Sequence, residues 1–334
     1  MSNIQAKLMD LSAAADYLGT GAIEVPEFDR EIMDVLRRSS VALQRIEQKP
    51  ATGHPHRYFE QTALASGAAV DPRNISATAT GPTRVERPAF IKAVTAQSNI
   101  SQFDKDVTEQ QGQFASVVAK DVNDIITAVE LKRASMLWAG TDTSMSAPTT
   151  LEWMGGLAQI TQQATIANGA SIIDGLKSQV AVMLANQTYK LAGKISAIYL
   201  NPLLADYIDQ EAKASRITLD SVEVVAGVTV AAISTQAGKL PLIADAFMPT
   251  TAASTAAYGF TATPANIKGY YAVIMCEDEV EIAVISGAEY NPNPRLFQLG
   301  LVGNLSGQFV GVKFDTAIFK GASYAHSVVQ VLRP

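Results

Sequence analysis

Between Asp106 and Gly140 the apolar residues Phe114, Val118, Val122, Ile125, Val129 and Met136 recur at helical spacing, which predicts one long helix with a single buried face. At 1.5 Å per residue such a helix runs roughly 50 Å. A rod of that length has to act as a backbone along which the rest of the chain packs. Asp106 and Glu109 have capping-box spacing at its start, and Gly140 suits a left-handed residue at its end. Gly112 is the weak point, because a glycine inside a helix costs about 1 kcal/mol relative to alanine, and it can split off the first turn.

Downstream, LEWMGGLAQI is a shorter apolar segment closed by a loop at Asn168 and Gly169. Ser171 and Asp174 open a second helix predicted to reach Leu191, with Leu176, Val180, Leu184 and Leu191 inward and Gly193 beyond its end. KISAIYLN reads as a strand buried on both faces, since no polar residue alternates with its apolar ones. Asn201 then caps a helix, LLADYIDQEAKA, with Pro202 at its first position. After residue 216 the chain is almost wholly strand-like: VEVVAGVTVAAIST, KLPLIADAFM, GYYAVIMCED, EVEIAVIS, GQFVGVKFDTAIF and AHSVVQVL. Helices before strands, without regular βαβ alternation and without a fixed repeat, indicate an α+β fold.

The segments upstream of the long helix lack a core of their own. Residues 1–48 hold two broken helical patterns, one capped by Ser12 and one from Asp29 to Ile46 carrying Ile32, Val35, Leu36, Leu43 and Ile46, separated by Gly19, Gly21 and Pro26. An arm without a continuous stripe buries little by itself and is expected to lie along something else. Residues 49–103 hold two candidate strands, HRYFEQTAL and AFIKAVTAQ, joined by the small, polar SGAAVDPRNISATATGP. This is the pattern of a long hairpin with a projecting tip, and compact domains rarely keep so long a loop without a use.

Composition narrows the function. Only 17% of the 334 residues are charged, against about 25% for soluble domains, which fits a subunit whose faces are covered by neighbours. Apolar residues make up 48% and aromatic ones 7%, a balance suited to sheets and close-packed helices and not to an aromatic ligand pocket. The net charge is −6. The densest basic groups, Arg37, Arg38 and Arg45, then Arg73, Arg84 and Arg87, are interleaved with polar or acidic residues, so no phosphate-gripping patch is expected. MSNIQAKLMD shows no basic stretch followed by an apolar one, so the chain is expected to act in the cytosol or in a particle built there.

Catalytic signatures are missing. There is no GxxxxGK(S/T), GTGAIE at Gly19 lacks the third glycine and a preceding strand, and no GxSxG elbow occurs. Of the histidines, His54 and His56 flank Pro55 in what reads as an exposed loop, and His326 in the last strand has no evident acidic partner, so no metal site is expected. Cys276, the single cysteine, ends an apolar run and reads as a small buried hydrophobe in a reducing compartment. Glu277, Asp278, Glu279 and Glu281 form the best remaining candidate cluster. They interrupt two apolar strands as a polar hairpin turn would, with Glu279 and Glu281 on an exposed, solvated or salt-bridged edge. No catalytic, cofactor-binding or metal-binding residue is assigned, and no cofactor.

Several strings in this order resemble the major capsid protein of tailed bacteriophages, the Hong Kong 97-like fold. ELKRASMLWAGTDTS looks like the end of its long spine helix, EWMGGLAQI like the segment that follows, ISAIYLNPLLADYI like a strand, Asn-Pro turn and helix of the axial domain, and AHSVVQVL like the closing strand of the peripheral domain. The resemblance covers residues 50–334 and implies an N-terminal arm over 1–48, an extended loop over 49–103, a peripheral domain from 104–169 and 291–334, and an axial domain over 170–290. It further implies hexamers and pentamers closing into an icosahedral virion shell around double-stranded DNA, assembled in the bacterial host cytoplasm with scaffolding, portal and decoration proteins as partners. Some members crosslink through a loop lysine, but between Lys49 and Lys92 this chain carries only arginines, so a non-covalent shell is expected. Forty-eight residues before the loop are too few for the cleaved scaffold domain of other members, which implies a separate scaffolding protein. The rivals are an encapsulin-type nanocompartment shell of the same fold, and an intracellular enzyme or binding module acting through Glu279 and Glu281.

Overall fold

The computed structural model describes residues 40–65, 67, 69, 72–73, 81–111, 117–186, 194–225, 228–302 and 306–334. The chain begins with α1 (Val41–Arg45), β1 (Glu47–Pro50), β2 (His56–Ala63), β3 (Thr83–Ala89), β4 (Lys92–Ser101), α2 (Gln102–Gln111) and α3 (Val117–Ala139). It continues through α4 (Gly156–Gln159), β5 (Gln163–Ile166), α5 (Ile172–Leu184), β6 (Ala197–Leu200) and α6 (Pro202–Ala214). Strands follow: β7 (Asp220–Val225), β8 (Val228–Thr235), β9 (Gly238–Ala244), β10 (Thr250–Thr251), β11 (Lys268–Met275) and β12 (Val280–Ile285). The last three are β13 (Arg295–Val302), β14 (Ser306–Phe319) and β15 (Ser327–Arg333). The α+β class expected from the order of patterns is the class observed.

The strands form a five-stranded sheet, an eight-stranded sheet and the separate ribbon β2–β3. In the first sheet β14, 14 residues long, lies between β4 on one edge and β13 followed by β12 on the other, and β1 adds parallel to β12. Where β4 ends, a side chain takes over its edge. The Gln159 amide donates to the Ala317 carbonyl at 3.0 Å and accepts from the Phe319 N–H at 3.1 Å, as a neighbouring strand would. Helix α3 covers one face, so close to β14 that a Cβ on Gly311 would lie 2.6 Å from the Ile125 methyl. Val129, Leu137, Trp138, Trp153, Ile282 and Phe319 fill the space between, all buried.

The long helix differs from expectation at both ends. Helix α2 starts at Gln102, directly after β4, so Asp106 sits one turn inside it, accepting from Gln102 at 2.7 Å, and caps nothing. Residues 112–116, with Gly112 and Phe114, lie outside the described residues, so the rod is described as two pieces. Gly140 is not left-handed. It is glycine because a Cβ there would fall 2.3 Å from the Trp153 carbonyl, and one on Gly155 would fall 2.5 Å from that of Trp138: two stretches of backbone touch.

The second sheet runs β5-β15-β11-β6-β9-β8-β7, with β10 on β11. Helices α5 and α6 bury Leu176, Val180, Leu204 and Ile208 on Ile198, Ile274, Val329 and Val331. Ser171 caps α5 by accepting from the Asp174 N–H at 3.1 Å, and Asn201 caps α6 by accepting from the Leu203 N–H at 2.9 Å, both as expected. Helix α5 stops at Leu184, short of the expected Leu191, which with Gly193 lies outside the described residues. VEVVAGVTVAAIST divides into the antiparallel pair β7–β8. β15 pairs with β11 and β5, whereas β12 joins the five-stranded sheet, so sheet membership does not change at residue 290.

The end of the arm lies along the body. Ala42, Leu43 and Ile46 are buried in the main core, and β1 pairs residue for residue with β12 from Glu47↔Glu281 to Pro50↔Val284. Residues 1–39, with Ser12 and the Ile32, Val35 and Leu36 stripe, lie outside the described residues.

Two buried polar groups hold α3 and the two sheets in place. Arg133 of α3 donates through Nε to Asp315 of β14 at 2.6 Å, both side chains wholly buried, and its guanidinium lies 5.8 Å from the centre of the Trp153 ring. Burial raises the Asp315 carboxyl and Arg133 opposes the rise. Nearby, the Lys313 ammonium bonds to Gln48 at 2.9 Å and to the Pro292 carbonyl, with Glu130 at 3.5 Å. His326 joins the strand ends: its Nδ1 accepts from the Cys276 N–H at 3.3 Å and its Nε2 faces the Lys320 carbonyl at 3.0 Å, a pairing that puts the proton on Nε2. Burial pushes its pKa down to about 4.

Losing Arg133 strands the buried Asp315 charge, so Arg133→Met is expected to cost roughly 3–5 kcal/mol in denaturant unfolding, Asp315→Asn to cost less because Arg133 keeps Glu130 as a partner, and Arg133→Met with Asp315→Leu to recover most of the loss. A cost below about 1 kcal/mol for each single change would contradict the pairing. His326 is neutral in the fold, so its contribution is complete above about pH 6.5 and is lost as the pH falls toward 4, at about 1.4 kcal/mol per pH unit. His326→Gln is therefore expected to show a shallower fall in melting temperature between pH 6.5 and 4 than the native chain, and equal slopes would refute the assignment.

Candidate assembly surface

Among the described residues the ribbon β2–β3 pairs with no other strand. Its register runs from His56↔Ala89 to Ala63↔Thr83, so the strand returning to the body is TRVERPA and not the expected AFIKAVTAQ, most of which is β4. That strand contains Pro88, which a two-stranded ribbon tolerates because half of each strand's N–H groups face outward. Most of the tip, including residues 74–80, lies outside the described residues.

Side chains of β2 alternate between the body and solvent. On the outer face Phe59 is 74% exposed, and Leu64 just beyond the strand is 77% exposed. Arg57 pairs with Glu86 at 2.8 Å and Arg87 with Glu60 at 3.1 Å across the ribbon, which holds its register in water. Exposed apolar groups elsewhere include Phe103 at the start of α2, Leu151 after the spine, Val182 on α5, Leu203 on α6, and Leu296, Phe297 and Leu299 on β13, whose outer edge has no partner strand among the described residues. Large apolar side chains left in water on a ribbon and on an open edge mark surfaces that association covers.

The base of the ribbon rests on β12. Tyr58 and Ala89 pack on Ala283 and Ile318, and burial pushes the Tyr58 phenol up to about 12. Beside them the Phe90 N–H donates to the Met145 carbonyl at 3.1 Å. That loop is pinned in turn by Asp142, whose carboxylate accepts from the Thr143 and Thr149 N–H groups and from Lys92 at 2.8 Å and lies well below the usual range despite its burial.

The acidic run is structural and differs from the turn expected of it. β11 and β12 belong to different sheets, and Glu277–Glu279 is a 3-10 turn that carries the chain between them. Burial would raise the Glu277 carboxyl, but Arg45 at 2.8 Å and the Tyr199 hydroxyl donate to it and hold it below its usual value. Glu279 pairs with Lys194 at 2.6 Å. Glu281 is not on an exposed edge. Its side chain is 6% exposed and reaches Lys320 at 2.7 Å, His56 at 3.5 Å and Lys49 at 3.6 Å.

His56 is therefore the first residue of a strand and not an exposed loop histidine, while His54 stacks edge-on against Phe90. Cys276 is buried, and burial pushes its thiol up to about 12, far from a nucleophile's range. Among the described residues no three His, Cys, Asp or Glu side chains come together as metal ligands. The sequence reading missed Arg133, Asp315, Lys313 and Glu281 as buried charges. For the three in strands the available signal was an isolated charge between apolar neighbours, as in VEIAVI and VKFDTAIF.

The family described as SU10 major capsid protein matches residues 12–271. No curated protein matches the sequence. Among solved structures, the capsid asymmetric unit of cyanophage A-1(L) superposes with a TM-score of 0.62 at 9% identity, covering 94% of this chain and 98% of that one. Gordonia phage Cozz gives 0.60 at 12% identity over 93% and 92% of the two chains. The holo-SrpI encapsulin of Synechococcus elongatus PCC 7942 gives 0.59 at 12% identity over 95% and 94%. The structures share the Hong Kong 97-like fold, and the family match spans most of the sequence: this chain belongs to the SU10 major capsid protein family, and its work is to form the shell of a virion.

Proposed function

We propose that the chain assembles as hexamers and pentamers into an icosahedral phage head that confines double-stranded DNA without reading its sequence. The carrying observation is the separate ribbon β2–β3, with Phe59 and Leu64 exposed on a scaffold whose base packs on the body. In this reading the ribbon is the extended loop that lies on a neighbouring subunit, the five-stranded sheet with α3 is the peripheral domain, and the eight-stranded sheet with α5 and α6 is the axial domain. Residues 1–39 belong to the arm. Scaffolding, portal and decoration proteins are the partners, assembly takes place in the host cytoplasm, and the chain has no catalytic role. Closed heterologous contacts between copies follow from the chemistry of a surface whose apolar groups lie on different faces.

Negative-stain microscopy with sedimentation is expected to show capsomer rings or closed particles from the full chain, with closure most efficient when a scaffolding protein is co-expressed, and their loss when residues 66–82 are replaced by a short Gly-Ser turn. A stable monomer indifferent to that replacement would refute the reading, and purified native particles holding a protein cargo and no DNA would turn it toward the encapsulin type. Since residues 50–91 contain no lysine, mature particles are expected to run as a single band on a reducing denaturing gel. A ladder of covalent multimers would overturn the non-covalent shell.

A further inference from the structure

Glu281 lies where three separate parts of the chain meet, and the structure assigns it a role: it is the positioning residue that sets the direction in which the β2–β3 ribbon leaves the body. The inference rests on the reading of that ribbon as the intersubunit arm.

The apolar contact beneath the ribbon cannot set a direction. It consists largely of Ala51, Ala89 and Ala283, with Ile318, Met145 and one side of Tyr58. Contacts between small apolar groups are non-directional, and sliding the ribbon across them costs little. Groups with fixed positions have to supply the angle, and at the foot of β2 the charged ones converge on one carboxylate. Oε1 faces His56, the first residue of β2, at 3.5 Å. Oε2 binds Lys320 at 2.7 Å, and the Lys320 ammonium also lies 5.5 Å from the centre of the Tyr58 ring, two residues further along β2. The same Oε2 lies 3.6 Å from Lys49, whose own second partner is Glu47 at 3.1 Å.

Each of these groups except those on the ribbon is anchored independently. Glu281 sits in β12 opposite Ile318 of β14 and Glu47 of β1. The Lys320 backbone is held on both sides, its N–H by the Glu279 carbonyl at 2.8 Å and its carbonyl by His326. With its side chain nearly buried, the Glu281 carboxylate acts in a medium that screens less than water, so its pairs are worth more than surface pairs of the same length. Fixed anchors on one side and His56 with Tyr58 on the other make a clamp that resists rotation of the ribbon about its base. The returning strand is tied separately, where His54 Nδ1 accepts from the Ile91 N–H at 3.4 Å.

The test uses the full chain with spin labels at Gln61→Cys on the ribbon and Ser178→Cys on α5, both exposed positions, diluted in unlabelled protein so that only distances within one chain are read. The buried Cys276 stays unlabelled. The native clamp is expected to give one narrow distance. Glu281→Gln and, separately, Lys320→Met should broaden it about twofold or more and lower the share of closed particles, with secondary structure unchanged. Lys320→Met, at a partly exposed position, keeps the test readable if Glu281→Gln fails to fold. An unchanged distance in the variants that fold overturns the clamp. If the distance broadens while the chain with residues 66–82 replaced still closes shells, the clamp stands and the intersubunit reading of the ribbon fails.

Discussion

The five-stranded sheet, the spine and the ribbon all meet on one strand. β14 has β4 and then Gln159 on one edge, β13 and then β12 on the other, α3 on one face and the foot of the ribbon on the opposite face near Ile318. A strand so enclosed has to satisfy its backbone completely and accept no variation in approach, which is why Gly311 stands where α3 comes nearest. It also explains the charges buried in it. Lys313 and Asp315, two residues apart and so on the same face of the strand, both reach α3: the first meets Glu130, with Gln48 of β1 beside it, and the second meets Arg133. Replacing a buried ion pair by hydrophobic residues is often harmless, so its value here lies in fixing which turn of α3 meets which residue of β14.

The molecule's two sheets differ in how they are built. The eight-stranded sheet is apolar at its centre, with β6, β11 and most of β15 buried, and its helices dock on it mainly by non-directional packing, with a few polar bonds such as Gln179 to Ser327. The five-stranded sheet joins the arm, the spine and the ribbon, and at each junction a charged group does the joining: Arg45 to Glu277, Arg133 to Asp315, Glu281 to His56. Packing supplies the cohesion of one body, and directional polar contacts supply the geometry of the other.

Much of this was readable in advance. The strands KISAIYLN and GYYAVIMCED, the caps at Ser171 and Asn201 and the spine pattern ending beside Gly140 follow from local rules, because capping and periodicity are decided within a few residues. What was missed depends on tertiary contact. Gly140 carries the sequence signature of a left-handed cap, but its reason is the Trp153 carbonyl thirteen residues away. The strand TRVERPA tolerates Pro88 because the rule against proline assumes a partner on both edges. The acidic run looked exposed because clustered carboxylates usually are, and nothing local announces that Arg45, Tyr199, Lys320 and His56 converge on it. For the candidate surface, the hairpin was legible as composition, whereas its anchoring required the fold.

The Gln159 amide has a consequence for how such a chain survives its own abundance. A shell protein is made in many copies at once, and an open strand edge is a template on which further copies can add without limit. By closing the end of β14 with a side chain in place of another strand, the molecule confines that hazard to shorter stretches of edge. Growth is thereby directed toward contacts that curve and finish, and away from an endless ribbon.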